Sequence, residues 1–259
     1  MNDGDQHAPS PFADSGRFDI IGDVHGCADE LEELLAKLGY HLTWNGKQVT
    51  VTSPIGRRAI FLGDLIDRGP RSPDVLRIAK HMVESSNALA VIGNHDDKLM
   101  RYLAGRNVSV AHGLAETIEQ LTQESSEFLS EMRFWLGTLP THHILDDGKL
   151  VVAHAGFAED LLQRSPKAIR SFCMYGDTSG EIDELGIPIR RDWAARYEGA
   201  AMIVYGHTPV RDTVWVNRTL CIDTGCVFGG KLTALRYPEL ELLSVPARQT
   251  YCEPSRPLA

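Results

Sequence analysis

Aspartate, asparagine and histidine side chains follow several short apolar runs of this chain, and these residue types bind divalent metal ions and transfer protons. The clearest case is the stretch Gly-Asp-Leu-Ile-Asp-Arg-Gly at 63–69, which follows the apolar run at 59–62. A carboxylate at the end of a buried strand lies at the sheet edge where open α/β folds bind ligands. There Asp64 can bridge two cations, Asp67 can orient a histidine, and Arg68 can hold two phosphoryl oxygens.

Four other apolar runs end in polar motifs of the same kind. These motifs are Gly-Asp-Val-His-Gly at 22–26, Gly-Asn-His-Asp at 93–96, His-Ala-Gly at 154–156 and Gly-His-Thr-Pro at 206–209. A lone histidine or Gly-Asp is usually structural, but five such motifs at five strand ends are hard to obtain by accident. Their oxygen and imidazole ligands suit Mn, Fe or Zn better than an all-oxygen calcium site.

We therefore predict a centre with two divalent transition metal ions that share the carboxylate of Asp64. One ion is expected to bind Asp23, His25 and Asp64, and the other Asp64, Asn94, His154 and His207. Manganese is favoured, with Fe, Zn, Ni or Co as alternatives. A water held between the two ions would lose a proton near neutral pH and attack phosphorus in line, without a covalent enzyme intermediate.

Three further residues are predicted to act on the phosphoester itself. His95 follows the metal-binding Asn94, so its side chain can face the substrate and protonate the leaving oxygen while Asp67 positions the ring. Arg68 would stabilise the charge that develops on the phosphoryl group in the transition state.

Substrate-binding roles for three residues outside these motifs are left open. Asp223 either lies at the rim of the site or supports the turn before Gly225. Arg190 and Arg191 either contact a second phosphate or form a solvated pair on the surface.

The elements that position these residues follow from the apolar pattern. Strands are predicted at 18–21, 59–62, 88–92, 150–153 and 201–205, and helices follow the first three of them. A hairpin turn is predicted at 44–47, helices between 97 and 139, a helical or irregular insertion at 158–198, and short strands thereafter. This order predicts an α/β sandwich: two mixed β-sheets packed face to face, flanked by helices, with the metal site at the strand ends.

Composition sets limits on the class of protein. The chain has 259 residues and a net charge of -9, which argues against a broad basic surface for long nucleic acid but not against binding of one phosphorylated end. Five cysteines without a C-x-x-C pair indicate reduced thiols and a cytoplasmic protein, and no apolar run is long enough to span a membrane. We expect a disordered tail at 1–16, one domain at 17–245 and a C-terminal tail at 246–259.

The motifs resemble those of the calcineurin-like metallophosphoesterases, in particular the phosphoprotein-phosphatase-like branch, over residues 18 to about 238. The resemblance implies a β-sandwich with a dinuclear metal centre at the six predicted ligand positions, and catalytic roles for His95, Asp67 and Arg68. The segments at 175–181, 204–210 and 222–238 are most similar to the phosphatase module of the bacterial polynucleotide kinase-phosphatase.

The resemblance implies an order of substrates. The first is a 2′-, 3′- or 2′,3′-cyclic phosphate on a nucleotide or nucleic-acid end, as in RNA repair. The alternatives are a symmetrical diadenosine tetraphosphatase, ranked second, and a serine/threonine phosphoprotein phosphatase, ranked third. Symmetrical tetraphosphatases rank below the first reading because they usually lack the Asp67-Arg68 pair and the Thr208-Pro209 pair. The chain has no Gly-x-x-x-x-Gly-Lys-[Ser/Thr] loop, so any kinase and ligase partners are expected to be separate proteins, and the oligomeric state is left open.

Overall fold

A computed structural model of the protein describes residues 16–184, 188–256 and 258. Residues 1–15 of the predicted N-terminal tail lie outside this part, and the division into tails and domain stays a prediction. At the C-terminal end, Ala247 and Tyr251 donate backbone hydrogen bonds to Gly230 and Val227, so this segment folds back onto the body of the protein.

Strands and helices alternate through the first half of the chain, and strands predominate at its C-terminal end. The strands are β1 (Arg17–Ile21), β2 (His41–Asn45), β3 (Gln48–Thr52), β4 (Arg57–Phe61), β5 (Ala88–Ala90), β6 (His142–Leu145), β7 (Leu150–Ala153), β8 (Thr178–Ile182), β9 (Pro188–Arg190), β10 (Met202–Tyr205), β11 (Trp215–Val216), β12 (Thr219–Cys221), β13 (Lys231–Tyr237) and β14 (Glu241–Pro246). The α-helices are α1 (Ala28–Leu38), α2 (Ser72–Glu84), α3 (Asn94–Leu103), α4 (Leu114–Leu121), α5 (Ser126–Thr138) and α6 (Pro166–Tyr175). Short 3-10 helices occupy Asp146–Gly148, Glu159–Gln163 and Ala194–Arg196.

The sandwich that was predicted is confirmed. One sheet has the order β14-β13-β1-β4-β5 and the other β11-β12-β10-β7-β6. In the first sheet β1, β4 and β5 are parallel, β13 is antiparallel to β1, and β14 is antiparallel to β13. In the second sheet β7, β10 and β12 are parallel, and the edge strands β6 and β11 are antiparallel to their neighbours. Both sheets are therefore mixed.

The core follows from the alternation of side chains along the strands. On β1, Phe18 and Ile20 point between the sheets, where they pack with Val152 and Val204 of the second sheet. Ile21 points to the opposite face and joins the apolar cluster beneath helices α1 and α2. Each face of the first sheet is thereby buried, which explains the nearly continuous apolar runs of β1 and β4.

Local sequence signals account for most element boundaries. Helix α1 buries Leu31, Leu34 and Leu35 and ends at Gly39, whose φ of 94° is the left-handed conformation that glycine adopts readily. Helix α2 begins at Ser72 with a proline in its first turn, as predicted. In the described part of the chain, every helix is too short or too polar to span a bilayer.

Two elements were not predicted. Strand β6 begins with His142 and His143, which no apolar pattern marks as part of a strand, but both are buried because they pair with β7. The insertion at 158–198 contains helix α6 and the hairpin β8–β9, whose exposed residues lack the apolar alternation that indicates a strand. This hairpin is what brings Arg190 to the site described next.

Candidate metal and catalytic site

The carboxylate of Asp64 lies at the centre of a cluster of imidazoles. Its Oδ2 atom is 3.4 Å from His154 Nε2, 3.6 Å from His25 Nε2 and 4.0 Å from His95 Nε2. The group His25, Asp64 and His95 and the group Asp64, His154 and His207 each offer ligand atoms within 4.8 Å of one another. Asp64 thus belongs to two groups, which is the position expected of a bridging ligand.

The cluster forms at the ends of five strands, three of them parallel in the first sheet and two parallel in the second. Asp23 and His25 follow β1, Asp64 follows β4 and Asn94 follows β5, while His154 and His207 follow β7 and β10 of the second sheet. The carboxyl ends of parallel strands meet at one edge of a sheet. The structure therefore brings together all six predicted ligands.

Two of the histidines are held in the tautomer that a metal ligand needs. His25 Nδ1 lies 2.8 Å from the carbonyl oxygen of Ile66, and His154 Nδ1 lies 2.9 Å from that of Leu62. A carbonyl can only accept, so each Nδ1 carries a proton and each Nε2 is the ring nitrogen that faces the site. Such outer hydrogen bonds orient most metal-binding histidines.

Potential metal-ligand atoms surround His154 Nε2. The amide oxygen of Asn94 and the Nδ1 atom of His207 are each 3.0 Å from it. This donor set fits a divalent transition metal ion.

Asp23 supplies an independent indication of a cation. Its Oδ2 accepts a hydrogen bond from the backbone N–H of His207, but its buried Oδ1 has no hydrogen-bond partner among the described residues. Leaving a buried carboxylate oxygen unsatisfied is costly. A metal ion at this position removes that cost, so we assign Asp23 to the metal-binding set as a proposal.

Burial and neighbouring charges shift the pKa values of the histidines in the cluster. Burial, with the guanidinium of Arg68, holds the pKa of His25 well below its usual value, so the ring is neutral as a ligand must be. Although burial acts in the opposite direction, the carboxylate of Asp64 raises the pKa of His154 to about 10. The proton shared between Asp64 and His154 is the one that a bound cation displaces.

Gly206 provides a test of the metal-binding geometry. A Cβ atom at this position would lie 2.0 Å from Asp23 Oδ1, so Gly206→Ala must displace that carboxylate. We expect metal affinity and kcat/KM to fall about ten- to a hundredfold, the range seen when the surroundings of metal ligands are disturbed. Equilibrium dialysis with elemental analysis and steady-state kinetics measure the two effects.

Gly137→Ala is the matched control for this substitution. Gly137 lies in helix α5, and no atom of the described residues comes within 4 Å of a Cβ added there. Alanine in a helix interior is about 0.5–1 kcal/mol more favourable than glycine, so this variant should be at least as stable as the parent. Unchanged metal content in Gly206→Ala would contradict the place given to Asp23.

His95 and Asp67 form the pair that was predicted. His95 Nδ1 lies 2.6 Å from Asp67 Oδ2, and both residues are buried. The other carboxylate oxygen, Asp67 Oδ1, accepts a hydrogen bond of 2.7 Å from the hydroxyl of Thr117. Thr117 comes from helix α4 and was missed, because a single helical threonine gives no signal in the sequence.

A second missed residue is Asp96, which joins two of the motif loops. Its Oδ1 accepts from the backbone N–H of Leu65 and its Oδ2 from that of Gly93, each at 3.0 Å. The sequence does contain a signal for Asp96, since an acidic residue three positions after the N-cap of a helix is a capping pattern. Asp96 thereby fixes the loop of Asp64 against that of Asn94.

Five residues of the site have left-handed backbone conformations. The φ angles are 45° for His25, 47° for Asp64, 78° for Asp67, 69° for Arg68 and 72° for His207. Non-glycine residues adopt positive φ rarely and at a cost, and such conformations concentrate at functional sites. The fold therefore holds these side chains in place before any ligand binds.

Two arginines face the cluster from opposite sides. Arg68 places Nη1 2.6 Å from His25 Nε2 and Nη2 3.1 Å from His95 Nε2, and its guanidinium lies 5.2 Å from the centre of the Phe228 ring. Arg190 Nη2 is 2.7 Å from His207 Nε2. Within the described ranges neither guanidinium pairs with a carboxylate, so both retain the donors that bind phosphate.

The other two residues predicted to bind substrate, Arg191 and Asp223, make contacts within the protein. Arg191 points away from the metal ligands and pairs with Asp177 at 3.2 Å. Asp223 is buried and accepts a hydrogen bond from the backbone N–H of Gly225 at 3.0 Å, so it supports the turn. Burial raises its pKa to about 6, and its Cβ lies 3.4 Å from the position of a Cβ on Gly206, directly behind Asp23.

Known proteins resemble this chain over most of its length. Residues 16–211 match the family model of calcineurin-like phosphoesterases. The chain is 49% identical over 237 residues to the bis(5′-nucleosyl)-tetraphosphatase PrpE [asymmetrical] of Halalkalibacterium halodurans, covering 90% of this chain and 95% of that protein. The protein of the same description from Bacillus subtilis is 47% identical, covering 91% of this chain and 97% of that protein.

The same sandwich occurs in solved structures. A protein provisionally assigned as a diadenosine tetraphosphatase superposes with a TM-score of 0.63 and 24% identity, covering 93% of this chain and 96% of that one. A protein serine/threonine phosphatase from Saccharomyces cerevisiae superposes with a TM-score of 0.58 and 14% identity, covering 93% of this chain and 82% of that one. At these identities the superpositions establish the fold alone.

Proposed function

This chain belongs to the calcineurin-like phosphoesterase family and is a metal-dependent phosphoester hydrolase, and we propose that its substrate is a bis(5′-nucleosyl) tetraphosphate. We propose further that cleavage is asymmetric, giving a nucleoside monophosphate and a nucleoside triphosphate. The observation that carries the proposal is the 49% identity to an asymmetrical tetraphosphatase over 90% of the chain.

This proposal reverses the substrate order that was predicted from the sequence. The resemblance to the polynucleotide phosphatase module favoured nucleic-acid ends and RNA repair, but the relatives are tetraphosphatases, and nothing in the comparisons points to kinase or ligase partners. The motifs used to separate the two classes do not separate them. Asp67 binds His95, and the carbonyl oxygen of Thr208 accepts from Cys221 Sγ. The first motif therefore belongs to the proposed catalytic pair and the second holds the loop that follows His207, and neither role depends on the substrate class.

We propose which residues bind the metal ions. The residues that would hold them are Asp23, His25, Asp64, Asn94, His154 and His207. Two bound divalent ions supply positive charge for the phosphoryl oxygens and lower the pKa of a coordinated water. Manganese stays the predicted metal, because hard oxygen and imidazole ligands are mixed in the set.

The chain's own residues account for binding and for proton transfer. Arg68 and Arg190 approach the cluster from opposite sides, so a polyphosphate that lies across it can meet a guanidinium on each side. His95 Nε2 faces the site while Nδ1–H is bound to Asp67, so the ring can deliver a proton to the departing oxygen. The Asp67 carboxylate stabilises the protonated ring.

The products identify the reaction. The protein, loaded with manganese, is incubated separately with diadenosine tetraphosphate, 2′,3′-cyclic AMP, a 3′-phosphorylated oligonucleotide and a phosphopeptide, and kcat/KM is measured for each. We expect diadenosine tetraphosphate to be the best substrate by at least about tenfold, and chromatography to show AMP and ATP in equal amounts. Two ADP molecules would indicate symmetric cleavage, and a preference for the oligonucleotide would restore the first prediction.

A further inference from the structure

Tyr175 is an aromatic residue at the rim of the metal site that the proposed chemistry does not use. It is the last residue of α6, and the three residues before it, Phe172, Cys173 and Met174, are buried. Tyr175 itself is 38% exposed and belongs to none of the three apolar clusters of the described residues. The helix therefore turns this ring out of the core.

The ring is held directly beside the proposed metal and phosphate ligands. Its centre lies 6.4 Å from that of the His207 ring, with the two planes at 85°. Its backbone carbonyl accepts a hydrogen bond of 3.2 Å from Nε of Arg190, the arginine whose Nη2 contacts His207. A phosphate bound at Arg190 would therefore have Tyr175 as its neighbour.

Apart from the contact with His207, no ring contact among the described residues accounts for an aromatic side chain at this position. Its hydroxyl makes no hydrogen bond in the part of the chain that the structure describes. The ion pair of Asp97 with Arg170, at 2.6 Å, lies close enough for its charges to act on the tyrosine. A half-exposed ring beside a phosphate-binding arginine suits a ligand that joins a phosphate to a flat aromatic group.

We propose that Tyr175 forms a nucleobase-stacking subsite, in which the base of the nucleotide whose phosphate lies at Arg190 rests on the exposed ring. This inference rests on the proposed function, since it names how one nucleoside of the substrate is held. Stacking depends on the π-face that every base has, so the subsite binds purines with little preference among them.

The test separates the base from the phosphates. Diadenosine tetraphosphate and inorganic tetraphosphate are used as competitors of p-nitrophenyl phosphate hydrolysis, with wild type, Tyr175→Ala, Tyr175→Phe and Tyr175→Trp. Stacking on an aromatic side chain is worth about tenfold or more in affinity for each base. We expect Tyr175→Ala to raise the inhibition constant of the dinucleotide about tenfold and to leave that of inorganic tetraphosphate unchanged, while the phenylalanine and tryptophan variants stay within about twofold of wild type.

Phe134→Ala is the control, since this exposed aromatic residue lies on α5 and should change neither constant. If Tyr175→Ala changes both constants equally, or neither, the stacking subsite is wrong. The proposed function fails separately, when wild type yields no AMP and ATP from diadenosine tetraphosphate. The competition still reports on the subsite in that case, because it needs binding and not cleavage.

Discussion

Asp64→Asn is expected to lower kcat/KM by at least about a thousandfold and to reduce the metal content from two ions per chain to one or none. The substitution keeps the size of the side chain and the Oδ1 acceptor, which binds the backbone N–H of His95 at 3.0 Å. It replaces Oδ2, the atom between the imidazoles of His25 and His154, by an NH₂ group. Donor hydrogens then point to the position of the cations and repel them.

Metal content and stability are the measurements that keep this prediction separate from a simple loss of folding. A ligand that binds the folded state tightly raises the melting temperature more than one that binds weakly. Manganese should therefore raise the melting temperature of wild type and leave that of Asp64→Asn nearly unchanged. Without metal the variant should melt lower than wild type, because it loses the buried ion pair between Asp64 and His154. The quantity to compare is therefore the rise in melting temperature that manganese produces in each protein. Asp160→Asn, on an exposed carboxylate that pairs with Arg164, serves as control.

Two outcomes would contradict the bridging role. The first is an Asp64→Asn protein that retains two ions and the wild-type rate. The second is wild-type protein that keeps full activity after exhaustive chelation, with no transition metal found by elemental analysis.

The sequence was sufficient for the parts of the site that lie directly after apolar strands. His25, Asp64 and His207 follow the ends of β1, β4 and β10, and parallel pairing within each sheet brings these ends to one edge. Periodicity predicted the strands, and chain order predicted their alternation with helices. The mixed sheets followed from the resemblance and from the short strands near the C-terminal end.

The parts that the sequence could not supply depend on contacts between residues distant along the chain. Thr117 reaches Asp67 across 50 positions, and nothing near either residue indicates the hydrogen bond. The exposed hairpin of β8 and β9 carries Arg190 to His207, although its sequence lacks apolar alternation. Substrate class was the weakest prediction, because the motif residues are predicted to bind metals and phosphate, and those interactions are common to nucleotides, nucleic acids and phosphoproteins.

His95→Gln is expected to have the second largest effect, a loss of about a hundred- to ten-thousandfold in kcat that depends on the leaving group. An alkyl phosphate leaves as a strongly basic alkoxide and needs the proton from His95. p-Nitrophenolate and a nucleoside triphosphate are far weaker bases and leave with less help. The loss should therefore be greatest for a simple alkyl phosphate, and much smaller for p-nitrophenyl phosphate and diadenosine tetraphosphate.

Asp67→Asn tests whether the two residues act as one unit. The carboxylate contacts His95 Nδ1 at 2.6 Å, and an amide in its place cannot stabilise the protonated ring. We expect the single variant to show the same dependence on leaving group, and the double variant with His95→Gln to be little slower than His95→Gln alone. Tyr102→Phe, on the same helix as His95, controls for disturbance of α3. A His95→Gln protein that is equally slow on every leaving group would remove the general-acid role and leave His95 as a residue that binds phosphate.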